Sequence, residues 1–413
     1  MVYVPTTYQI SPSFCHYYAS SSYLCPMMFL IVAICLVIVG TVAADWLHAY
    51  HLYKRGRTPS WGWMLWCTLT DALPFIVWLV GKLLPDNTTP VMQVMMWLIW
   101  AWILIISTRM LFYLFNHWGY RRVGWVVALA FGALLLWGAT RGRTTLRINQ
   151  IEIVSNKIPQ GFDGGRFAQI TDLHLGTQVA PTWELAQLVD SLNAQAPEAL
   201  FFTGDLVNIR PSELDARAVR LLKGIKAPVF SVIGNHDTGA YIHDTLTLPR
   251  EVALSEVIKR QQEMGWRVLD DQSEWLYRRG DSISLSGLSF DPSLRFNQHD
   301  HALEHANLEA VYRDIPDSVF NITLVHIPQL WEQIRSAGYG DLTLAGHTHA
   351  MQLRINLFGW SWSPAAWLYE RWSGRHEEEG SVLYINDGVG CVGYPMRLGA
   401  SPEITIFTLR RCE

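Results

Sequence analysis

Five apolar runs in the second half of the chain end in side chains able to bind cations. "FAQITDLHLG" closes on Asp172 and His174, "ALFFTGDLVN" on Asp205, "VFSVIGNHDTG" on Asn235, His236 and Asp237, "NITLVHIP" on His326, and "LTLAGHTH" on His347 and His349. Singly, each has a plain reading: an Asp after a strand caps a helix, Asn-His-Asp forms a loop, a lone His hydrogen-bonds in a core. One placement repeated five times argues for chemistry. The donors sum to three or four imidazole nitrogens, two carboxylates and one amide oxygen, without a thiolate. That is too many for one tetrahedral zinc, and it lacks the cysteines structural zinc sites commonly use. It suits two adjacent divalent ions sharing a carboxylate, and its borderline-to-hard character points to Mn, Fe or Zn. Gly204, Gly234 and Gly346 each precede one of these residues, where a missing Cβ lets the backbone turn sharply.

Such a site needs elements that gather five strand ends. From Arg147 onward short β-rich runs alternate with helical patterns, which predicts a layered α/β domain. In open α/β sheets ligands bind beyond the carboxyl ends of the strands. Upstream the composition changes. The chain has 413 residues, half of them hydrophobic, and 19 tryptophans; its first charged side chain is Asp45, and charges stay sparse to Gly138. Spans at 27–44, 61–84, 91–115 and 123–139 are each about long enough to cross roughly 30 Å of hydrocarbon. The organisation expected is an uncharged segment at 1–26, which includes a possible overcalled start, four transmembrane helices at 27–140, a linker with the first strand at 141–165, and the polar domain at 166–413.

Net charge is −4 and no basic run with interleaved aromatics occurs, so no nucleic acid polymer is expected as a partner. Cys15, Cys25, Cys35 and Cys67 lie in or before the apolar region, leaving Cys391 and Cys412 in the polar half without CxxC spacing. No disulfide framework follows. Lys54, Arg55 and Arg57 follow the first span, and Arg121 and Arg122 precede the fourth. By the positive-inside rule both connections are cytoplasmic and the polar domain is extracytoplasmic, with Arg141, Arg143 and Arg147 arguing the other way. Asp71 and Arg109 are ionisable residues inside spans; an interhelix pair is expected over a transport or sensing role.

In this order, D-x-H, G-D-x-x-N, G-N-H-D, an isolated His and G-H-T-H resemble the motifs of the calcineurin-like metallophosphoesterases. The tail "NDGVGCVGYPMRLGASPEITIFTL" resembles the C-terminal end of the bacterial membrane-anchored branch. The resemblance implies a four-layer αββα sandwich of two mixed sheets with helices outside. It implies that Asp172, His174 and His349 hold one metal, that Asp205 bridges, and that Asn235, His326 and His347 complete the second. His236 would face the substrate as an imidazolium and Asp237 would orient and polarise it. Asn208 stands where the family often has Asp, and "HTHAMQ" replaces the branch's usual "HTHGGQ".

Two adjacent cations can supply hydroxide from a bridging water near neutral pH and neutralise phosphoryl oxygens. The expected reaction is in-line attack of that hydroxide, with His236 protonating the leaving group. No covalent nucleophile is required, in keeping with the lack of a Ser or Cys nucleophile motif in the polar half. "LFGWSWSPAAWLYERWSG" at 357–374 places four tryptophans just after a metal motif. Either they pack against the domain or the apolar helices, or they dip into the membrane interface and bring lipid head groups to the metals. Expected partners are thus the lipid bilayer and a phosphoester substrate, lipid-linked or nucleotide-linked. Alternatives are the UDP-2,3-diacylglucosamine pyrophosphatase activity that the branch includes, which requires a cytoplasm-facing site, and a non-catalytic membrane sensor or scaffold keeping the metal site.

Overall fold

The computed structural model describes residues 15–290 and 308–412, with side chains from residue 35 onward. Most of the expected 1–26 segment therefore lies outside the described residues, and its end is already helical. Four long helices come first: α1 (Cys15–Lys54), α2 (Trp61–Leu83), α3 (Thr89–His117) and α4 (Arg121–Trp137), the last continued by one π-helical turn, Gly138–Gly142. All four are long and apolar enough to cross a membrane. The first outruns the expected 27–44 because the charges that begin at Asp45 do not break a helix. It stops at Gly56, whose φ of 68° supplies the left-handed residue typical just past a helix end.

The chain divides into two compact units, residues 1–71 and 72–413. The boundary falls inside α2 and not after the fourth helix. In the first unit Trp46 stacks on Tyr50 at 5.8 Å and His48 lies 5.7 Å from Trp63.

In the second unit two six-stranded mixed sheets face each other. One has the order β1 (Arg147–Ser155), β14 (Glu403–Arg411), β2 (Arg166–Ile170), β3 (Ala199–Phe202), β4 (Val229–Ser231), β5 (Arg267–Val268). The other runs β12 (Gly374–Glu378), β13 (Ser381–Ile385), β9 (Leu342–Ala345), β8 (Asn321–Val325), β7 (Asp281–Leu288), β6 (Gln272–Arg278). Successive strand residues point to opposite faces. Phe167, Phe201 and Phe230 accordingly meet Leu285, Ile322 and Leu344 between the sheets. Their neighbours Ala168, Leu200 and Phe202 turn outward to Leu188 and Leu192 of α5 (Pro181–Gln195), Leu222 of α6 (Ala216–Leu222) and Val257 of α7 (Arg250–Glu263). On the far side Val325 and Ile385 pack on Tyr312 of α8 (Leu308–Tyr312) and Ile334 of α9 (Trp331–Ser336). This is the four-layer αββα sandwich. Its inner strands are buried on both faces, which is why they read as continuous apolar runs. The first strand was expected within 141–165, and β1 lies there. It pairs with β14 along its whole length, so the sandwich begins there.

α3 and α4 belong to this unit and are tied to the sandwich. Arg143 makes a two-pronged ion pair with Glu184 of α5, both contacts at 3.1 Å. Gln93 of α3 donates to the Gly176 carbonyl at 2.9 Å. Met396 and Leu398 pack with Trp100, Leu135 and Ala139.

Candidate metal centre

β2, β3 and β4 are adjacent parallel strands of one sheet, and β8 and β9 are adjacent parallel strands of the other. The five end at one edge of the sandwich, and just past them lie the motif residues. Asp172, His174, Asp205, His347 and His349 all have positive φ, between 42° and 73°. That left-handed conformation costs an L-residue roughly 1–2 kcal/mol, and such outliers cluster at functional sites.

The structure brings seven candidate ligands into one network. His349 Nε2 is 3.2 Å from Asp172 Oδ1 and 3.1 Å from His174 Nε2. Asp205 Oδ2 is 3.1 Å from His326 Nε2 and 3.6 Å from His174 Nε2. His347 Nδ1 is 3.1 Å from Asn235 Oδ1 and 3.3 Å from His326 Nε2. Asp205 thus sits between two clusters. Donors held about 2.1 Å from one ion are separated by roughly 2.9–3.4 Å in tetrahedral or octahedral geometry, and most of these separations fall in that window. Asp172 Oδ1 is buried and has no hydrogen-bond donor. A Cβ on Gly346 would meet Asp172 Oδ2 at 2.5 Å, and one on Gly204 would meet His326 Nδ1 at 2.8 Å, so backbone closeness is part of the site. By spacing and donor chemistry the residues fit two divalent cations.

Neighbouring groups aim the ligands. The Thr203 carbonyl accepts from His326 Nδ1 at 2.7 Å, which turns Nε2 toward Asp205. Asn235 Nδ2 donates to the Tyr241 hydroxyl at 2.6 Å, which turns Oδ1 toward His347. Outer partners of this kind set ligand orientation. Burial would depress the His326 imidazole, but the Asp205 carboxylate beside it prevails and raises it to about 9. Burial likewise favours neutral Asp172, yet the His349 and His174 rings hold its carboxyl well below the usual range.

His236 and Asp237 depart from expectation. Burial lowers the His236 imidazole to about 4 against the pull of Asp205, so the ring in the free site is neutral and not an imidazolium. Its Nδ1 donates to the Asn208 carbonyl at 2.5 Å, and the ring stacks on Tyr241 with centroids 4.1 Å apart. Asp237 does not orient that ring. Its carboxylate instead accepts from four backbone amides: Leu206 and Val207 at Oδ1, Asp205 and Gly234 at Oδ2. It ties together the two loops that carry Asp205 and Asn235. At Asn208 the His236 contact uses the main chain, so Asn in place of Asp leaves it intact. Ala350 and Met351 have φ of 46° and 43°, a conformation glycine adopts without strain; this explains why a Gly-Gly pair suits these positions.

Sequence reasoning missed Glu213, whose carboxylate accepts from the backbone amides of Gly176, Asn208 and Ile209 and from the Thr89 hydroxyl of α3. It also missed Tyr241 and the α2–α3 connection, where Asn87 donates to the Tyr241 carbonyl at 2.7 Å and Asp86 pairs with Arg210 at 2.8 Å. Arg397, fully buried, lies 3.2 Å from His349 Nδ1.

Residues 165–351 match the calcineurin-like phosphoesterase family profile. The polar domain belongs to the calcineurin-like metallophosphoesterases. The chain is 28% identical to the uncharacterised metallophosphoesterase YkuE of Bacillus subtilis (strain 168), across 68% of this chain and 94% of that protein. It is 27% identical to a transmembrane protein with metallophosphoesterase domain from Danio rerio, across 69% of this chain and 62% of that one. The UDP-2,3-diacylglucosamine pyrophosphatase LpxG of Chlamydia trachomatis is 24% identical, across 60% of this chain and 84% of that protein. This metallophosphoesterase is a phosphoester hydrolase, with four helices long and apolar enough to span a membrane.

Proposed function

We propose that the chain is a membrane-anchored, dinuclear-metal phosphoesterase that hydrolyses phosphodiester or pyrophosphate bonds of lipid-linked or nucleotide-linked substrates. The observation that carries this is the placement of Asp205 between His174 and His326, with Asp172 and His349 on one side and Asn235 and His347 on the other. Asp172, His174, His349 and Asp205 would hold one divalent cation, and Asp205, Asn235, His326 and His347 the other. Bound there, such cations supply an acidified water and positive charge for phosphoryl oxygens. The chain's own residues do the rest. His236 is fixed through Nδ1 by the Asn208 carbonyl, which leaves Nε2 as the ring nitrogen that would meet the substrate. An arriving phosphoryl anion favours its protonation, after which Nε2–H donates to the leaving oxygen. Asp237 and Glu213 keep the loops in register.

We place the polar domain on the extracytoplasmic side. The α3–α4 connection with Arg121 and Arg122 lies at the helix ends away from the sandwich, since Thr89 and Gln93 near the start of α3 and Arg143 after α4 all bond to it. A LpxG-like pyrophosphatase reaction would need the opposite orientation.

The test uses the full chain in nanodiscs, stripped of metal and reloaded with Mn²⁺, with bis(4-nitrophenyl) phosphate as substrate. Wild type should turn over only when reloaded, and Asp205→Asn with His347→Ala should abolish turnover and lower metal uptake. Undiminished turnover and uptake in that double variant would refute the reading.

A further inference from the structure

The strands β10 (Ile355–Leu357) and β11 (Trp360–Trp362) form an antiparallel hairpin that joins neither large sheet. Its register pairs Ile355 with Trp362, Asn356 with Ser361 and Leu357 with Trp360. Paired residues share a face, so one face is Ile355, Leu357, Trp360 and Trp362 and the other is Asn356 and Ser361. The turn is Phe358 and Gly359, with φ of 50° and 84°, the two consecutive positive values of a type I′ turn. Asn, Asp or Gly normally takes the first of those positions. Phe358 accepts the strain and projects entirely into the surroundings, 106% exposed, while Leu357 and Trp360 are 55% and 56% exposed.

An isolated two-stranded hairpin is marginal in water, and an apolar face rimmed by polar residues marks an interaction site. What covers it is indicated by its stem. Leu353, two residues before the hairpin, packs against the apolar cluster built from Trp100 of α3, Leu135 of α4, Ala139, Met396 and Leu398, and Trp100, Leu135 and Ala139 all lie inside candidate membrane spans. The hairpin therefore leaves the domain at the depth of the apolar helices. Beyond β11 the chain reaches Tyr369, whose hydroxyl is 3.5 Å from His347 Nε2. Tyr369 and Leu368 also line a cavity of about 480 Å³ with Pro328, two residues past His326.

We infer that the β10–β11 hairpin is a membrane-docking element: its Ile355/Leu357/Trp360 face and Phe358 tip sit at the headgroup–acyl boundary of the leaflet from which α3 and α4 emerge. The metal centre thereby takes phosphoesters that carry a lipid chain. The substrate half of this inference rests on the phosphoesterase reading, whereas the docking half does not.

The full chain in phosphatidylcholine/phosphatidylglycerol nanodiscs, with a fluorescent amino acid placed at residue 358 by amber suppression, tests the docking. Its emission should be blue-shifted and quenched by lipids brominated near the headgroup, and a probe at residue 356 on the polar face should be quenched less. Water-like emission at 358, or a blue shift without bromolipid quenching, which would mean that a protein surface covers the face, overturns the inference. A second arm compares two substrates with the same scissile bond, hexadecyl 4-nitrophenyl phosphate in the discs and methyl 4-nitrophenyl phosphate in solution. Phe358→Glu with Trp360→Glu should raise KM for the first roughly tenfold or more, as expected when aromatic burial is exchanged for charge, with kcat and the second substrate little changed. Equal effects on both substrates would overturn it. If the probe is quenched but wild type cleaves neither diester, the phosphoesterase reading fails and the docking stands.

Discussion

Asp237→Asn separates a loop-organising carboxylate from a catalytic one. Oδ1 accepts from Leu206 N at 2.8 Å and Val207 N at 3.1 Å, and Oδ2 from Asp205 N at 2.9 Å and Gly234 N at 3.0 Å. An amide of the same shape keeps one acceptor oxygen. Whichever way it is oriented, two buried backbone N–H groups face an NH₂ that can only donate. Hydrogen bonds to charged groups are each worth about 1.5–3 kcal/mol, so losing two costs about 3–6 kcal/mol, and the remaining pair weakens as well. Burial and the Asp205 charge raise this carboxyl to about 7, so the comparison belongs at pH 8, where it is ionised. The assay is hydrogen exchange followed by mass spectrometry on peptides spanning 205–207 and 234. A local loss of about 3 kcal/mol accelerates exchange roughly 150-fold, and bound Mn²⁺ should fall in parallel. Unchanged exchange and full metal occupancy with collapsed turnover would refute the loop role and restore the expected polarising one.

Three further outcomes are expected. Ala350→Gly relieves a left-handed alanine and should stabilise the chain by about 0.5–1 kcal/mol, read as a rise in thermal midpoint; a fall would show that the buried Ala350 methyl contributes more than the backbone strain. Because Asp205 holds His326 protonated up to about 9, metal uptake must expel a proton. Mn²⁺ affinity should climb from pH 6 toward 9, with calorimetric proton release falling over the same interval. In the metal-free protein the sign reverses: that His–Asp stabilisation is complete below the unfolded imidazole pKa of about 6.5 and is lost as pH rises through about 9. Tyr241→Phe removes the hydroxyl that orients the Asn235 amide and should weaken binding of one ion by about 10- to 100-fold while the other titrates as in wild type; equal weakening of both would assign Tyr241 a general structural role.

The residues that the structure gathers into one network were legible because the buried strands make apolar runs, against which an Asp, Asn or His at each end stands out. The five-fold repetition carried information that no single motif held. The four-layer architecture followed only through the resemblance, since apolar continuity does not say which sheet a strand joins. What escaped was long-range. Glu213 looks like an ordinary surface acid, yet folding brings it to amides at 176, 208 and 209 and to Thr89. Asn87 lies in what reads as a short membrane loop, and its bond to Tyr241 spans 154 residues. For Asp237, adjacency to His236 suggested a side-chain partner, whereas the turn directs the carboxylate back to four amides. The tryptophan-rich segment was legible in composition, but its exposure followed only from the separation of β10–β11 from both sheets.

The central claim is most directly tested by counting metals against turnover. Full-length protein in nanodiscs, stripped with a chelator and titrated with Mn²⁺, should bind two ions per chain, and cleavage of bis(4-nitrophenyl) phosphate should appear as the second is filled. Binding of fewer than two, or undiminished cleavage by the stripped protein, would contradict the account.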